Sequence, residues 1–349
     1  MTLEAIYVTR HGFRSNWAVD PSTGEYTASL TSPTGIAADP ALTAHGVDQA
    51  RQLAAYLQIV DPPIERVYSS PYYRCLQTIE PFVAAQGVGS PLQGGSEKCK
   101  IRGEPGVGEW YGSAPFEHPT SAAPEVLKTL FPALDLGYKP VNPRPTRMGE
   151  SPAELHDRVA STMHGIISQC DTEGVKAILI CTHAAVVIAL GRVLTGTMPD
   201  SVDEEDFRAF TCGLSVYKRR KGEAATASRQ EGVPSWRVSG DQEASQATSA
   251  RGPGGIAHGP AAEPTSRADK EPLVWKGRGV AGGWTCTANS DCSHLAGGEE
   301  RGWRFSGDEA FAGSAGQGTI DAGLELGVVV EGKAVRTRSS NKTSTTPRL

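Results

Sequence analysis

An α/β fold is predicted for this chain: three layers, a mostly parallel central sheet with helices on both faces, and a low-complexity C-terminal tail. Three observations predict it. Over residues 1–220, short apolar runs alternate with segments whose apolar residues recur at helical spacing. Each run is of strand length and ends in polar or turn-forming residues. Near Lys221 the composition then shifts to Gly, Ala, Ser, Gln and Pro, as in "SGDQEASQATSARGPGGIAHGP".

The first strand is expected over residues 5–9, where Ala5-Ile6-Tyr7-Val8 reads as buried. Leu42, Gly46, Ala50, Leu53, Ala54 and Leu57 follow at helical spacing, with Thr43 as N-cap. "ERVYSS", 65–70, is the second strand. Arg74 is expected one turn into the helix after it. Ser151-Pro152-Ala153-Glu154 is a capping box with proline at the first helical position. The helix it opens carries a stripe of Leu155, Val159, Met163, Ile166 and Ile167. "VKAILICT", 175–182, is the most apolar strand, and a helix is expected from just after His183 to Gly196. Leu214 to Tyr217 is expected as the closing strand, so the domain would end near residue 220.

The bulk figures exclude several classes. A net charge of −5 argues against a nucleic-acid binder. Seven scattered cysteines suit free thiols in a reducing compartment. The N-terminus enters a strand with no basic, apolar leader, and Lys176, Thr182 and His183 interrupt the longest apolar stretch. A soluble protein of the cytoplasm or nucleus is expected, with no membrane partner and no direct nucleic-acid contact.

Ligands of open α/β sheets bind beyond the carboxyl ends of the strands. The first strand delivers Arg10, His11 and Arg14 there; the second delivers Arg74; the third delivers His183. Taken singly, each residue is more often a solvated or packing side chain. Together, at three strand ends, they predict an anion-binding site, with the helix after His183 adding N–H groups and a positive dipole end. A zinc site shared by the two histidines is the rival; three arginines would repel a cation, and no Asp or Cys completes a ligand set. No metal and no other cofactor are therefore expected.

"TRHG", "SSPYYRCLQT", "GEWYG" and "CTHA" occur in this order over roughly residues 3–218. In this the chain resembles the histidine phosphatase superfamily, whose founders are the phosphoglycerate mutases. The resemblance implies a catalytic set in which His11 is the nucleophile, transiently phosphorylated. It implies that Arg10, Arg74 and His183 hold the phosphate, and that Glu109 is the proton donor. Arg14, three residues past His11, and "IRGEPGVGEW" resemble the branch with eukaryotic protein-tyrosine-phosphatase-like members, which favours a phosphatase over a mutase. Ala184 stands where many members carry Gly after the second histidine. "RHGFRSNW" and "PTGIAADPALTAHGVDQARQLAAYL" give a narrower likeness to the phosphatase-domain subunits of the fungal RNA polymerase III transcription factor tau (transcription factor IIIC). That implies transcription-complex partners as an alternative to a free enzyme acting on a phosphate ester.

Aromatic residues near the site, Phe13, Trp17, Tyr26, Trp110 and Tyr111, are candidate walls for an aryl or other apolar ester. "KRRK", Lys218 to Lys221, reads as a nuclear localisation signal or a solvated charged exit. Residues 221–270 are expected to be a disordered linker, and 271–349 a Gly/Trp-containing tail, partly ordered at most. Trp236, Trp275, Trp284 and Trp303 make that tail unusually aromatic, so the segment from about Leu273 to Phe311 is expected to dock on the domain or on a partner. Cys286, Cys292 and His294 lie close together there without a standard zinc spacing.

Overall fold

The computed structural model describes residues 2–20, 22–87, 100–142, 146–199, 205–220 and 280–305. Its elements are β1 (Ala5–Arg10), β2 (Trp17–Asp20), β3 (Glu25–Ala28), α1 (Ala44–Leu57), β4 (Arg66–Ser69), α2 (Tyr73–Gly87) and β5 (Ile101–Gly103). A short 3-10 turn (Pro105–Val107), α3 (Pro124–Leu130), α4 (Pro152–Glu173), β6 (Ala177–Thr182), α5 (Ala184–Thr195), β7 (Leu214–Arg219) and β8 (Trp284–Asp291) follow. Six strands form one sheet in the order β5-β4-β6-β1-β7-β8. The pairs β5–β4, β4–β6 and β6–β1 are parallel, while β7 and β8 are antiparallel additions at one side.

Strand alternation sorts the core into two layers. Ile6 and Val8 of β1, with Ile178 and Ile180 of β6, face α4 and α5. Ala5 and Tyr7, with Leu179 and Cys181, face α1 and α2. This period of two explains the unbroken apolar runs: strands covered on both faces carry no polar side. The helix ends follow local chemistry. The Thr43 side chain accepts from Gly46 N, the Ser151–Glu154 capping box is complete, and Gly174 and Gly196 end α4 and α5 in the left-handed region at φ 71° and 77°. Arg74 is the second residue of α2 and not a turn into it, which keeps its side chain at the strand-end rim.

The domain does not close at Tyr217. Residues 280–305 return to the sheet, and β8 pairs along β7 from Arg219–Trp284 to Leu214–Asp291, with irregular register between. Trp284, Leu295, Trp303 and Phe305 are all buried. Trp303 and Phe305 pack edge-on against Trp110, at ring-centre distances of 6.2 and 5.4 Å. The segment therefore lies against the first 220 residues, at Trp110. Trp236, Trp275 and the expected linker over 221–270 fall outside the described residues. Of the basic run, Lys218 donates to Asp61 O, Arg219 pairs with Asp171, and Arg220 donates to Thr195 O.

Removing everything after Arg220 should destabilise the fold. It bares the β7 edge and uncovers Trp110, and losing burial of Trp303 and Phe305 alone costs about 3–6 kcal/mol. That is a large part of the roughly 5–15 kcal/mol holding a typical domain. Thermal melting and gel filtration should find the shortened chain aggregated or melting far below the full chain; an equal melting temperature and a monomeric peak would show that 280–305 is not integral to the domain.

Candidate active site

β1 runs into the loop Arg10–Trp17, which turns back over the start of α1. The approach is close enough to require glycine on both sides. A Cβ on Gly12 would stand 2.8 Å from Gly46 O, and one on Gly46 would stand 2.0 Å from Phe13 O. Phe13 O in turn accepts from Thr43 N at 2.9 Å. Gly12 N donates to Thr78 Oγ1 at 3.0 Å. These contacts fix His11 at the mouth of the sheet.

His11 is only 2% exposed. Its Nδ1 lies 2.8 Å from Gly12 O. A carbonyl can only accept, so Nδ1 carries the proton and Nε2 keeps its lone pair. Burial first, then the charges of Arg74, Arg10, His183 and Arg14, hold His11 well below its usual pKa, so the ring is neutral at pH 7.

His183 caps β6 and meets His11 edge to face, ring centres 5.4 Å apart. Its Nε2 is 2.7 Å from Ser70 Oγ, and its Nδ1 is 3.0 Å from Glu109 Oε2. Burial opposes charge on His183, but Cys75 and Glu109 together more than offset it and raise its pKa. Protonated, it donates from both nitrogens. Arg74 Nη2 converges on the same oxygen, Glu109 Oε2, at 2.7 Å, while its Nη1 donates to Ala38 O and to Asp39 Oδ1. Burial alone would push Glu109 up; His183 and Arg74 outweigh it and hold the carboxyl well below its usual value. Asp39 also accepts from Tyr73 N at the start of α2, and its burial leaves it at about 6 in spite of Arg74.

Arg10 and Arg14 complete a cluster of guanidinium groups. Arg10 Nη1 donates to Ala209 O at 2.8 Å and to Arg301 O. Arg14 Nη1 donates to Ser15 O at 2.9 Å, and its guanidinium lies over Trp17. Burial is the main cause that brings Arg10 down to about 10 and Arg14 down to about 9; the Glu109 carboxylate opposes it at both, and neighbouring arginines add to it, Arg301 and Arg74 at Arg10 and Arg74 first at Arg14. Nε of Arg10 and Nε of Arg74 are buried with no hydrogen-bond partner among the described residues. Buried cationic donors left in this state favour an anion, since an unmade buried hydrogen bond costs about 1–3 kcal/mol.

All six sequence candidates, Arg10, His11, Arg14, Arg74, Glu109 and His183, thus meet in one place. The metal argument needs one correction. A carboxylate does join the two histidines: ligand atoms of His11, Glu109 and His183 lie within 4.8 Å of one another. The obstacle to a cation is the company it would keep, since Arg74 and His183 already share Glu109 Oε2. Cys286, Cys292 and His294 form no such group among the described residues.

Other corrections concern the aromatic residues. Trp110 is a core residue, 2% exposed, its Nε1 donating to Glu150 O at 2.8 Å. Trp17, Tyr26 and Tyr111 pack together with Tyr72, which the motif reading passed over. Tyr72 flanks His183 at 5.3 Å and Arg74 at 4.7 Å. Also missed were Ser70, Asp39, Cys75 and the Arg158–Glu150 pair. Arg158 binds Glu150 at 2.7 Å and donates to Gly106 O and Gly108 O, so it braces the segment that carries Glu109. Ser70 and Cys75 lie inside "SSPYYRCLQT" and Asp39 inside "PTGIAADPALTAHGVDQARQLAAYL", but nothing local marks Asp39 as a partner of Arg74, and Arg158 lies in none of the motifs.

The family model of the Histidine phosphatase superfamily (branch 1) matches residues 6–231. The chain belongs to the histidine phosphatase superfamily. Among superfamily relatives, the transcription factor tau 55 kDa subunit of Saccharomyces cerevisiae is 34% identical over 227 residues, covering 62% of this chain and 48% of that protein. The ecdysteroid-phosphate phosphatase of Drosophila melanogaster is 34% identical over 176 residues, covering 50% and 22%. The chain thus spans about half the length of the first and about a fifth of the second. Among solved structures, the tungstate complex of the silkworm ecdysone phosphate phosphatase aligns with a TM-score of 0.47 at 19% identity, over 62% of this chain and 89% of that one.

Proposed function

We propose that this histidine phosphatase is a metal-independent phosphomonoesterase acting through phosphohistidine. The observation that carries the reading is His11 itself: a neutral ring, its Nδ1 proton committed to Gly12 O, its Nε2 lone pair free among arginines. In the first step Nε2 attacks phosphorus and the ester P–O bond breaks. Arg10, Arg14, Arg74 and protonated His183 hold the phosphoryl oxygens as charge moves onto the leaving oxygen. Glu109 begins as a carboxylate shared by Arg74 and His183. A phosphate dianion entering beside it draws those donors away and adds a negative neighbour; the carboxyl pKa rises, and Glu109 takes up one proton from solvent as the ester binds, which it gives to the leaving oxygen. Its carboxylate then accepts a proton from water, the water oxygen attacks phosphorus, and the P–N bond breaks to release phosphate and restore His11. A phosphate-release screen over aryl, sugar and peptide phosphates tests the reading. EDTA should leave the rate unchanged; a loss restored by zinc would replace this mechanism with a metal-assisted one.

The charge states set the pH profile. Since His11 sits well below 6.5, it stays an unprotonated nucleophile as pH falls through 6.5. Since His183 is raised, it holds its proton through 6.5 and loses it above. With phenyl phosphate, once the substrate's own second ionisation at about 6 is fitted from its titration, kcat/KM should show no further acid limb near 6.5 and should fall on the alkaline side as His183 deprotonates. An acid limb near 6.5 beyond the one that the substrate accounts for would assign His11 an ordinary pKa and remove the basis for its role.

A second reading is a subunit of a transcription complex in the nucleus, active or not, supported by the 34% identity to the yeast tau subunit. Stoichiometric co-purification with such a complex favours it, and elution alone favours the free enzyme. Among the described residues no helix is long and apolar enough to cross a membrane.

A further inference from the structure

Arg301 lies beyond the residues matched to the family, 6–231, yet it stands at the lip of the His11 loop. Its backbone takes the left-handed region at φ 49°, and its carbonyl accepts from Arg10 Nη1. Its guanidinium lies 4.0 Å from the centre of the Phe13 ring, two residues after His11, and its Nη1 donates to Asn16 Oδ1 at 3.4 Å. A ring face and an amide thus orient a partly exposed cation.

That cation is poorly compensated. Its charge works against those of Arg10 and Arg14. The adjacent carboxylate, Glu300, is engaged elsewhere: its Oε2 meets His45 Nε2 at 2.7 Å and Gln49 Nε2 at 2.9 Å. Among the described residues no carboxylate forms an ion pair with Arg301, and of its five N–H donors one is used, at Asn16. A guanidinium held over the Phe13 ring, with spare donors beside the arginine cluster, is suited to bind an anion in a fork.

We propose that Arg301 forms a second anion subsite, and that the substrates of this chain are phosphate monoesters bearing a further anionic group close to the ester. The proposal rests on the phosphatase reading for the word substrate, but not for the binding itself. It gives the returning segment a part in selecting the ester: Trp303 and Phe305 anchor it on Trp110, and Arg301 projects from that anchor to the loop that holds His11.

Binding is the readout, measured by calorimetry on the full-length His11→Ala chain with phenyl phosphate and with 2-, 3- and 4-carboxyphenyl phosphate. The best carboxyphenyl ester should bind about tenfold tighter than phenyl phosphate, a gain of about 1.4 kcal/mol. Adding Arg301→Gln, which keeps the backbone carbonyl that Arg10 uses, should erase that preference, and adding Arg301→Lys should restore part of it. Equal binding of all four esters, no binding of the carboxyphenyl esters, or a preference that survives Arg301→Gln would each overturn the subsite. Phosphate release by the wild-type chain is scored separately: its absence defeats the hydrolase reading, while the difference in binding still decides Arg301.

Discussion

His11→Ala should abolish phosphate release, a loss on the order of 10⁴-fold or more for a removed nucleophile, while the chain still folds. Rapid quench of the wild-type chain with labelled substrate should trap a phosphoenzyme that is acid-labile and base-stable, and the variant should trap none. An acid-stable adduct, or full activity in the variant, would rule out phosphohistidine. The fold should survive even though His11 is buried, because among the described residues the ring makes one hydrogen bond and one edge contact; the cost is about 1–2 kcal/mol. The pH dependence adds a sign. Burial and the neighbouring cations keep the folded His11 from taking a proton that the unfolded chain takes up below 6.5. Wild-type stability therefore falls as pH drops through 6.5, and His11→Ala should lose less over that window, which melting at pH 5 and pH 8 will measure.

Arg74→Ala should damage both catalysis and stability. In turnover it removes a charge-assisted phosphate contact, about 2–4 kcal/mol of transition-state stabilisation. In the fold it leaves Asp39 and Glu109 without their shared cation at 0% exposure of the Arg74 side chain, and stranding a buried carboxylate costs about 3–5 kcal/mol. Arg74→Lys keeps the charge but cannot reach Ala38 O, Asp39 and Glu109 together, so it should recover stability more than rate. Melting temperature and kcat/KM on the same samples separate the two losses. Wild-type activity in both variants would take Arg74 out of the site.

The parts of the site that could be read beforehand were those written locally. A cation directly after an apolar strand must emerge at the strand's carboxyl end, so Arg10, His11 and His183 were legible from one dimension. Glu109 was legible only through its motif. Asp39 was not, because its partners at Tyr73 and Arg74 lie across a loop that no periodicity describes. β8 was hidden for a different reason. Trp284–Asp291 alternates buried and exposed residues weakly, with small polar side chains, and follows a long stretch of linker-like composition. The tryptophans were the one visible sign that this region had something to bury.

The route by which Arg10 is held bears on synthesis of the chain. Its side chain is fixed by the carbonyls of Ala209 and Arg301, so the first cation of the site waits for residue 301, 291 positions later in the chain. A nascent chain that has emerged only to residue 220 can pair β7 with β1, but β7 keeps a bare outer edge and Trp110 lacks its cover. Such long-range closure is slow, because ends far apart in sequence must meet before any contact rewards them. Through that interval the open strand edge is a template for other chains. Phosphate binding should therefore switch on late, once residues 301–305 have emerged, and ribosome-stalled chains exposed only to about residue 220 should be the protease-sensitive, chaperone-bound form.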